Sequence, residues 1–234
     1  YPDAVIRFKR SDMILYIHSD AAYLVLPKAR SRIAGYYYLS NKVKDGEEPP
    51  MNGAVLVECK KLDPVASSSA ESETGGLYSN AQNGVPMRND LEFLDHQQPK
   101  DGTPLVTDNA SSHCLLTKLM KPKRAKAWDM QYHWLEDRIQ QKQFKIIWRK
   151  GIQNLADYFT KHHHPAVHQK MRFKYLQQIN AMIDNQWTSI RKQLPFTRLA
   201  RVCYKRHLQV ASNLAAYMTS YLPITQDPAF PLHS

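Results

Sequence analysis

The order in which short apolar runs and helical stretches follow one another is the feature that most constrains the fold of this chain. Three apolar runs come first, and turn-forming or polar residues bound each of them: Met13–Ile17, Ile33–Leu39 and Ala54–Val57. Runs of this length and setting predict strands, and their short connections favour hairpins.

A long stretch from Ser67 to Leu94 then carries apolar residues near helical spacing, which predicts a helix. Glycines at positions 75, 76 and 84 weaken it, because each Gly costs up to ~1 kcal/mol relative to Ala inside a helix. Pro86 follows closely after Gly84. We therefore expect a kink or a break around Gly84.

The second half of the chain alternates strands and helices. Strands are predicted at Pro104–Asn109 and Phe144–Trp148, and helices at Ala110–Leu119, Trp128–Gln141 and Asn154–Lys161, the last with Asn154 as its cap. The complete order is strand, strand, strand, helix, strand, helices, strand, helix. This order predicts an α/β fold in which helices pack on the faces of a mixed sheet.

Residues 165–234 differ from the rest in charge. They hold nine Lys and Arg against two Asp and Glu, within a chain of net charge +11. Helical stretches are predicted over Val167–Leu194 and Thr197–Leu222, with Pro195 between them. Such a basic helical extension attracts polyanions without sequence preference, and its helices could equally dock on a partner or on the core.

Several classes of protein are disfavoured by composition. No apolar stretch approaches the ~20 residues that a membrane span requires, so no membrane association is expected. The cysteines Cys59, Cys114 and Cys203 lie far apart without metal-ligand spacing, which favours free thiols in the cytoplasm or nucleus. The first residues carry neither a signal architecture nor an initiator Met, which suggests a fragment of a longer protein.

Four acids fall at the ends or starts of predicted elements: Asp20, Glu73, Asp108 and Asp157. Acids at strand ends and on a facing helix can converge on one pocket, where mutual repulsion raises their pKa values unless a divalent cation is bound. Hard oxygen ligands suit Mg²⁺ or Mn²⁺, and two such ions favour phosphodiester hydrolysis. Taken singly, each acid is also explained as a turn former, a solvated helix residue or a helix-start acid favoured by the helix dipole.

Short sequence blocks follow one another in a recognisable order. They are Ser19-Asp20-Ala21, Arg30-Ser31 with Gly35-Tyr36, Ser67–Glu73, Asp108-Asn109, Lys126–His133 and Asn154–Lys161. In this order they resemble the patterns SDA, KSTSGY, SSTEAEY, DN, KHIDIRYH and NIADIFTK of the ribonuclease H domain of copia-type LTR retrotransposon Pol polyproteins. Departures from the family occur at Thr74, Ala127 and Gln131. The His that cellular ribonucleases H carry before the last acid is missing between Trp148 and Asn154.

The resemblance implies a ribonuclease H fold, a five-stranded mixed sheet flanked by helices, that cuts the RNA strand of RNA/DNA hybrids during reverse transcription. It implies Asp20, Glu73, Asp108 and Asp157 as catalytic ligands of two Mg²⁺ (or Mn²⁺) ions. The implied partners are the hybrid and the reverse transcriptase portion of the same polyprotein, in a cytoplasmic virus-like particle or in the nucleus. Residues 1–12 are expected to be an upstream remnant, 13–164 the nuclease domain and 165–234 the basic helical tail.

Positioning of substrate phosphates calls for cations and polar groups beside the carboxylates. The candidates are Lys28, Arg30, Arg32, Asn109, Arg149 and Lys150. Ordinary solvated charge is the alternative explanation for these cations. The alternative function, of a different class, is a decayed or domesticated retroelement fragment that binds nucleic acid without cutting it.

Overall fold

A mixed five-stranded sheet lies at the centre of the fold. The computed structural model describes residues 4–44, 46–118 and 126–178. The strands are β1 (Ala4–Val5), β2 (Ile14–Leu26), β3 (Arg30–Ser40), β4 (Ala54–Lys61), β5 (Thr103–Thr107), β6 (Phe144–Trp148) and β7 (Gln177–Gln178). The helices are α1 (Ser69–Phe93), α2 (Ala110–Leu116), α3 (Lys126–Gln140), α4 (Asp157–Thr160) and α5 (Pro165–Tyr175), with a 3-10 turn at Gly151–Gln153 before α4.

The central sheet has the strand order β4-β3-β2-β5-β6. Its first three strands in sequence, β2, β3 and β4, form an antiparallel meander, whereas β5 and β6 add in parallel beside β2. The parallel additions require crossovers, which α1 and then α2 with α3 provide. The α/β class and the mixed five-stranded ribonuclease H-like sheet flanked by helices are thus confirmed.

Side-chain alternation along β2 divides the core between the two faces of the sheet. Leu15 and Ile17 are completely buried in a cluster with Leu77 of α1 and Leu135 of α3. The even positions, beginning with Ile14 and Tyr16, pack on the other face among aromatic residues of β3, namely Tyr36 and Tyr38. Because successive side chains of a strand point to opposite faces, Asp20 lies on this aromatic face.

The predicted break in the first helix is wrong, because α1 runs without interruption through Gly84 and Pro86. A Cβ on Gly84 would lie 2.5 Å from Ile17 Cδ1 and 3.0 Å from the Phe144 ring. The missing side chain therefore lets α1 pack closely on the sheet, and this packing outweighs the helix propensity lost at one glycine.

Two further predictions need correction. The strand predicted at Met13–Ile17, which is β2, continues through Asp20 to Leu26 because it pairs with β3 over most of its length. The helix predicted over Val167–Leu194 ends at Tyr175, and Gln177–Gln178 pair instead with Ala4–Val5 in a small antiparallel sheet.

The chain divides into two units, residues 1–178 and 179–234. The second unit, which contains the helix predicted over Thr197–Leu222 and Cys203, lies outside the described residues. Within the described part of the chain, Cys59 and Cys114 are free thiols, and none of the helices is long and apolar enough to cross a bilayer.

Candidate metal centre

Asp20, Glu73 and Asp108 come together at one end of the sheet. One carboxylate oxygen from each lies within 4.8 Å of those of the other two. The pairing of β2 with β5 accounts for two of the three acids. His18 lies opposite Val106 in the parallel register, so Asp20 and Asp108, each two positions further along its segment, lie side by side. The first turns of α1, which begins at its Ser68 cap, then place Glu73 over this strand end.

The cluster is poorly solvated. Asp20 and Glu73 are 3% and 5% exposed. Burial raises the pKa of Asp20 to about 6, with Thr160 opposing the rise and Asp108 adding to it. Burial, followed by the charges of Asp20 and Asp108, raises the pKa of Glu73 well above its usual range. The loss of water and the neighbouring negative charges thus both disfavour the ionised forms of Asp20 and Glu73.

Glu73 has a buried polar atom without a partner among the residues that the structure describes. Its Oε2 accepts no hydrogen bond from any of them. Leaving a carboxylate oxygen buried and unpaired is costly unless a proton or a cation neutralises it. The oxygen-only donor set of the three acids is the type that Mg²⁺ and Mn²⁺ prefer. The residues present therefore fit a divalent cation.

The fourth predicted acid, Asp157, is placed differently. It is the first residue of α4, and its carboxylate forms an ion pair with Lys161. Among the described residues it does not belong to the three-acid cluster, although its charge contributes to the raised pKa of Asp20. The structure thus brings three of the four acids together and places the fourth at the edge of the cluster.

Residues around α4 and the turn before it orient two of the carboxylates. The Thr160 hydroxyl donates to Asp20 Oδ2. Asn154 Nδ2 donates to Ser19 O over 2.9 Å and to Asp108 Oδ1 over 3.4 Å. A Cβ on Gly151 would lie 2.9 Å from Asp108 Oδ2, so glycine leaves space for that carboxylate.

The sequence position of Asn154 predicted that it caps the last core helix, and this prediction is wrong. The residue before α4 is Ala156, which makes no side-chain capping bond. The Asn154 side chain is instead tied to β2 and to its own turn, where Oδ1 accepts from Ala156 N.

His18 joins β2 to this turn and was not predicted. Its Nδ1 accepts from the Leu155 backbone N–H over 3.0 Å, and its Nε2 lies 3.5 Å from the Tyr38 hydroxyl. Burial, with Lys174 as the next contribution, lowers its pKa to about 3. A neutral His18 thus holds the strand that carries Asp20 against the segment that carries Thr160.

The predicted substrate-contact residues comprise a helix cap, three cations in or near the segments that hold the acids, and two cations at a hairpin tip. Asn109 caps α2, since its Oδ1 accepts from Ser112 N. Arg32 donates to Thr160 O and Arg149 donates to Glu47 O, while Lys150 is exposed directly before Gly151. Lys28 and Arg30 lie at the tip of the β2–β3 hairpin, about 20 Å along the strand from Asp20 at ~3.3 Å per residue.

Sequence reasoning selected only Asp157 from the segment Asn154–Lys161 and so missed Thr160 and Lys161. A usable signal was present, because residues three and four positions after Asp157 lie on the same side of a helical turn. Gly151 and His18 offered no such signal, since their roles depend on contacts with distant parts of the chain.

The strand order and the site define a chain with a ribonuclease H-like fold and a cluster of three carboxylates, of which Asp20 and Glu73 are buried. No protein-family model matches the sequence, and no curated protein sequence matches it. Solved structures do match the fold.

The N-terminal ribonuclease H domain of a Mycobacterium tuberculosis protein, solved as a fusion with maltose-binding protein, is 11% identical with a TM-score of 0.44, over 63% of this chain and 91% of that chain. Ribonuclease H1 of Halobacterium salinarum is 12% identical with a TM-score of 0.40, over 62% and 92%. The protease-reverse transcriptase of prototype foamy virus is 10% identical with a TM-score of 0.39, over 67% and 21%. Similarities at this level carry no information about activity.

Proposed function

We propose that this chain is a divalent-metal-dependent nuclease that hydrolyses the RNA strand of RNA/DNA hybrids. The observation that carries the proposal is the convergence of Asp20, Glu73 and Asp108, together with a buried Glu73 Oε2 that accepts no hydrogen bond from the described residues. The copia-like sequence blocks support an origin in a retrotransposon polyprotein, whose reverse transcriptase portion would be the partner. The reaction would then take place in a cytoplasmic virus-like particle or in the nucleus.

The three clustered acids would hold a first Mg²⁺ or Mn²⁺ ion, and Asp157 at the edge would contribute to a second in the complex with the hybrid. When bound, such ions supply Lewis-acid activation of water and stabilise the charge on the leaving oxygen of a phosphodiester. The protein's own contribution is orientation: the Thr160 hydroxyl holds Asp20, and the Asn154 amide holds Asp108.

Substrate binding is proposed to use the cations and polar groups around this cluster. A cavity of about 960 Å³ is lined by Tyr38, Trp148 and Arg149 among others, and none of the clustered acids lines it. Trp148 Nε1 donates to the Asp108 carbonyl, which connects this wall to the acids. Arg149 and Lys150 would position the phosphates nearest the acids, together with Arg32 and Asn109. Lys28 and Arg30 would meet the backbone further along the hybrid.

A cleavage assay tests the function. With Mg²⁺ and a labelled RNA/DNA hybrid, the chain is expected to cut the RNA strand and leave the DNA intact. Asp108→Asn should reduce the rate on the order of 100-fold or more, because one ligand charge is lost. Asp63→Asn is the matched control, since Asp63 is 92% exposed and lies 3.8 Å from its partner Lys61. Unchanged cleavage by Asp108→Asn would remove the assignment.

The net charge of +11 favours a second candidate function, nucleic-acid binding without chemistry. Tight hybrid binding by the wild-type chain that falls steeply with salt, with no cleavage under Mg²⁺ or Mn²⁺, would identify this function.

A further inference from the structure

Lys161 places an ammonium group at the edge of the carboxylate cluster. Its Nζ forms an ion pair with Asp157 one helical turn earlier. The Asp157 side chain is 23% exposed and that of Lys161 is 53% exposed. Burial lowers the pKa of Lys161, but the hydrogen bond to Asp157 and the charges of Asp157, Asp20 and Asp108 raise it overall. The ammonium is therefore electrostatically coupled to the site.

The position of Lys161 is set by its neighbour. Thr160 donates its hydroxyl hydrogen to Asp20, and its carbonyl accepts from Arg32 Nη1 over 3.4 Å. These two bonds tie the end of α4 to β2 and β3. Because α4 is only four residues long, anchoring Thr160 also fixes where the next residue leaves the helix.

A charge balance shows what this ammonium does to ion binding. When ionised, Asp20, Glu73, Asp108 and Asp157 carry four negative charges, and Lys161 carries one positive charge. One divalent ion then leaves a single negative charge in the site. Two divalent ions beside Lys161 leave an excess positive charge, whereas two ions without Lys161 give neutrality. Removing Lys161 therefore shifts the balance toward a second ion, because one ion alone would then leave two negative charges unneutralised.

We infer that Lys161 takes the place of a second divalent ion at Asp157, so that the chain without nucleic acid binds one ion rather than two. The inference rests on the metal site of the proposed function. Its physical basis is competition, because the Asp157 carboxylate cannot pair closely with an ammonium and coordinate a divalent ion at the same time without bringing like charges together. Lys161 is thus a positioning residue that sets the ion stoichiometry.

Calorimetric titration of the full chain with Mn²⁺ tests this inference. The wild-type chain should bind one ion. Lys161→Met and Lys161→Gln should bind two, with the affinity of the Asp157 site increased roughly tenfold or more once the competing charge is gone. Lys161→Arg keeps the charge and should bind one. Lys118→Met is the matched control, because Lys118 forms a 3.2 Å ion pair with Glu136, which does not belong to the cluster. This variant should also bind one ion.

A double variant identifies the carboxylate involved. Adding Asp157→Asn to Lys161→Met should return the stoichiometry to one ion, and retention of two ions would overturn the inference. Two ions on the wild-type chain, or one ion of unchanged affinity on both Lys161→Met and Lys161→Gln, would overturn it as well. Circular dichroism verifies that each variant is folded. A wild-type chain that binds no ion would instead remove the metal site on which the proposed function depends.

Discussion

Asp20 is a carboxylate that folding buries beside other carboxylates, where its ionised form is less favourable than in water. Its carboxylate is 3% exposed, and the acids around it add like charge. Folding brings it there because β2 has apolar residues on both faces and is buried on both. The free energy of burying this group must be recovered when a cation binds, and its cost should be measurable in the metal-free chain.

We therefore predict that Asp20→Asn stabilises the metal-free chain increasingly as the pH rises. Folding raises the pKa of Asp20 from 3.8 to about 6, so the stability associated with its protonated form is complete below pH 4 and is lost as the pH passes 6. The groups that face Asp20 are Thr160, Asp108, Asp157, Lys161 and Glu73. In urea denaturation with EDTA, the variant should gain roughly 2 kcal/mol over the wild type between pH 4 and pH 7.

Comparing the wild type with the variant isolates the contribution of Asp20 to the pH dependence of stability from that of His18, whose pKa is lowered to about 3 by burial. His18 destabilises both chains equally as the pH falls below its usual value. Saturating Mg²⁺ at pH 7 should reduce or reverse the advantage of the variant, since only the wild type keeps all three ligands. A difference that stays constant across this pH range would contradict the raised pKa of Asp20.

Secondary-structure elements were predictable where their evidence is local. Strand β6 coincides with the predicted Phe144–Trp148, and β3 contains the predicted Ile33–Leu39, because an apolar run bounded by polar residues is a property of the segment itself. The continuity of α1 through Gly84 was not predictable, since it depends on Ile17 and Phe144, which are distant in sequence. Strands as short as Ala4–Val5 leave no periodic pattern to detect.

The same distinction applies to the site. Asp20, Glu73 and Asp108 could be grouped from strand ends, a facing helix and a family resemblance, and the structure brings them together. The ion pair between Asp157 and Lys161 was not anticipated, although the spacing of four residues was compatible with it, because an acid and a lysine at this spacing need not pair.

We predict that Gly84→Ala destabilises the chain, although alanine is the better helix former. The new Cβ would lie 2.5 Å from Ile17 Cδ1 and 3.0 Å from Phe144. Overpacking of a core typically costs about 1–3 kcal/mol, against a gain of up to ~1 kcal/mol in propensity. Asn89→Ala, at an exposed position of the same helix, is the control and should be neutral or stabilising. Equal urea midpoints for the two variants would show that α1 does not pack this closely.

The protein combines a positively charged chain with a cluster of negative carboxylates. The net charge is +11, yet three carboxylates cluster at one end of the sheet with Asp157 at their edge, so a phosphate backbone should be attracted by the surface and repelled by the metal-free acids. Long-range attraction sets affinity without sequence preference. Affinity for nucleic acid and binding of divalent ions should consequently be separable.

We predict that Lys150→Gln weakens hybrid binding to a similar extent on unrelated sequences. Lys150 is exposed directly before Gly151, the residue that leaves space for Asp108, so its charge lies where phosphates would approach the acids. Losing one phosphate contact should reduce the slope of log affinity against log salt by about 1. Binding is measured by fluorescence anisotropy in EDTA, which prevents cleavage and leaves the metal site empty in every sample. Lys118→Gln removes the same charge beside Glu136 and should leave the slope unchanged. Equal slopes for the two variants would mean that nucleic acid does not approach the acids past Lys150, and the substrate path would have to be placed elsewhere on the surface.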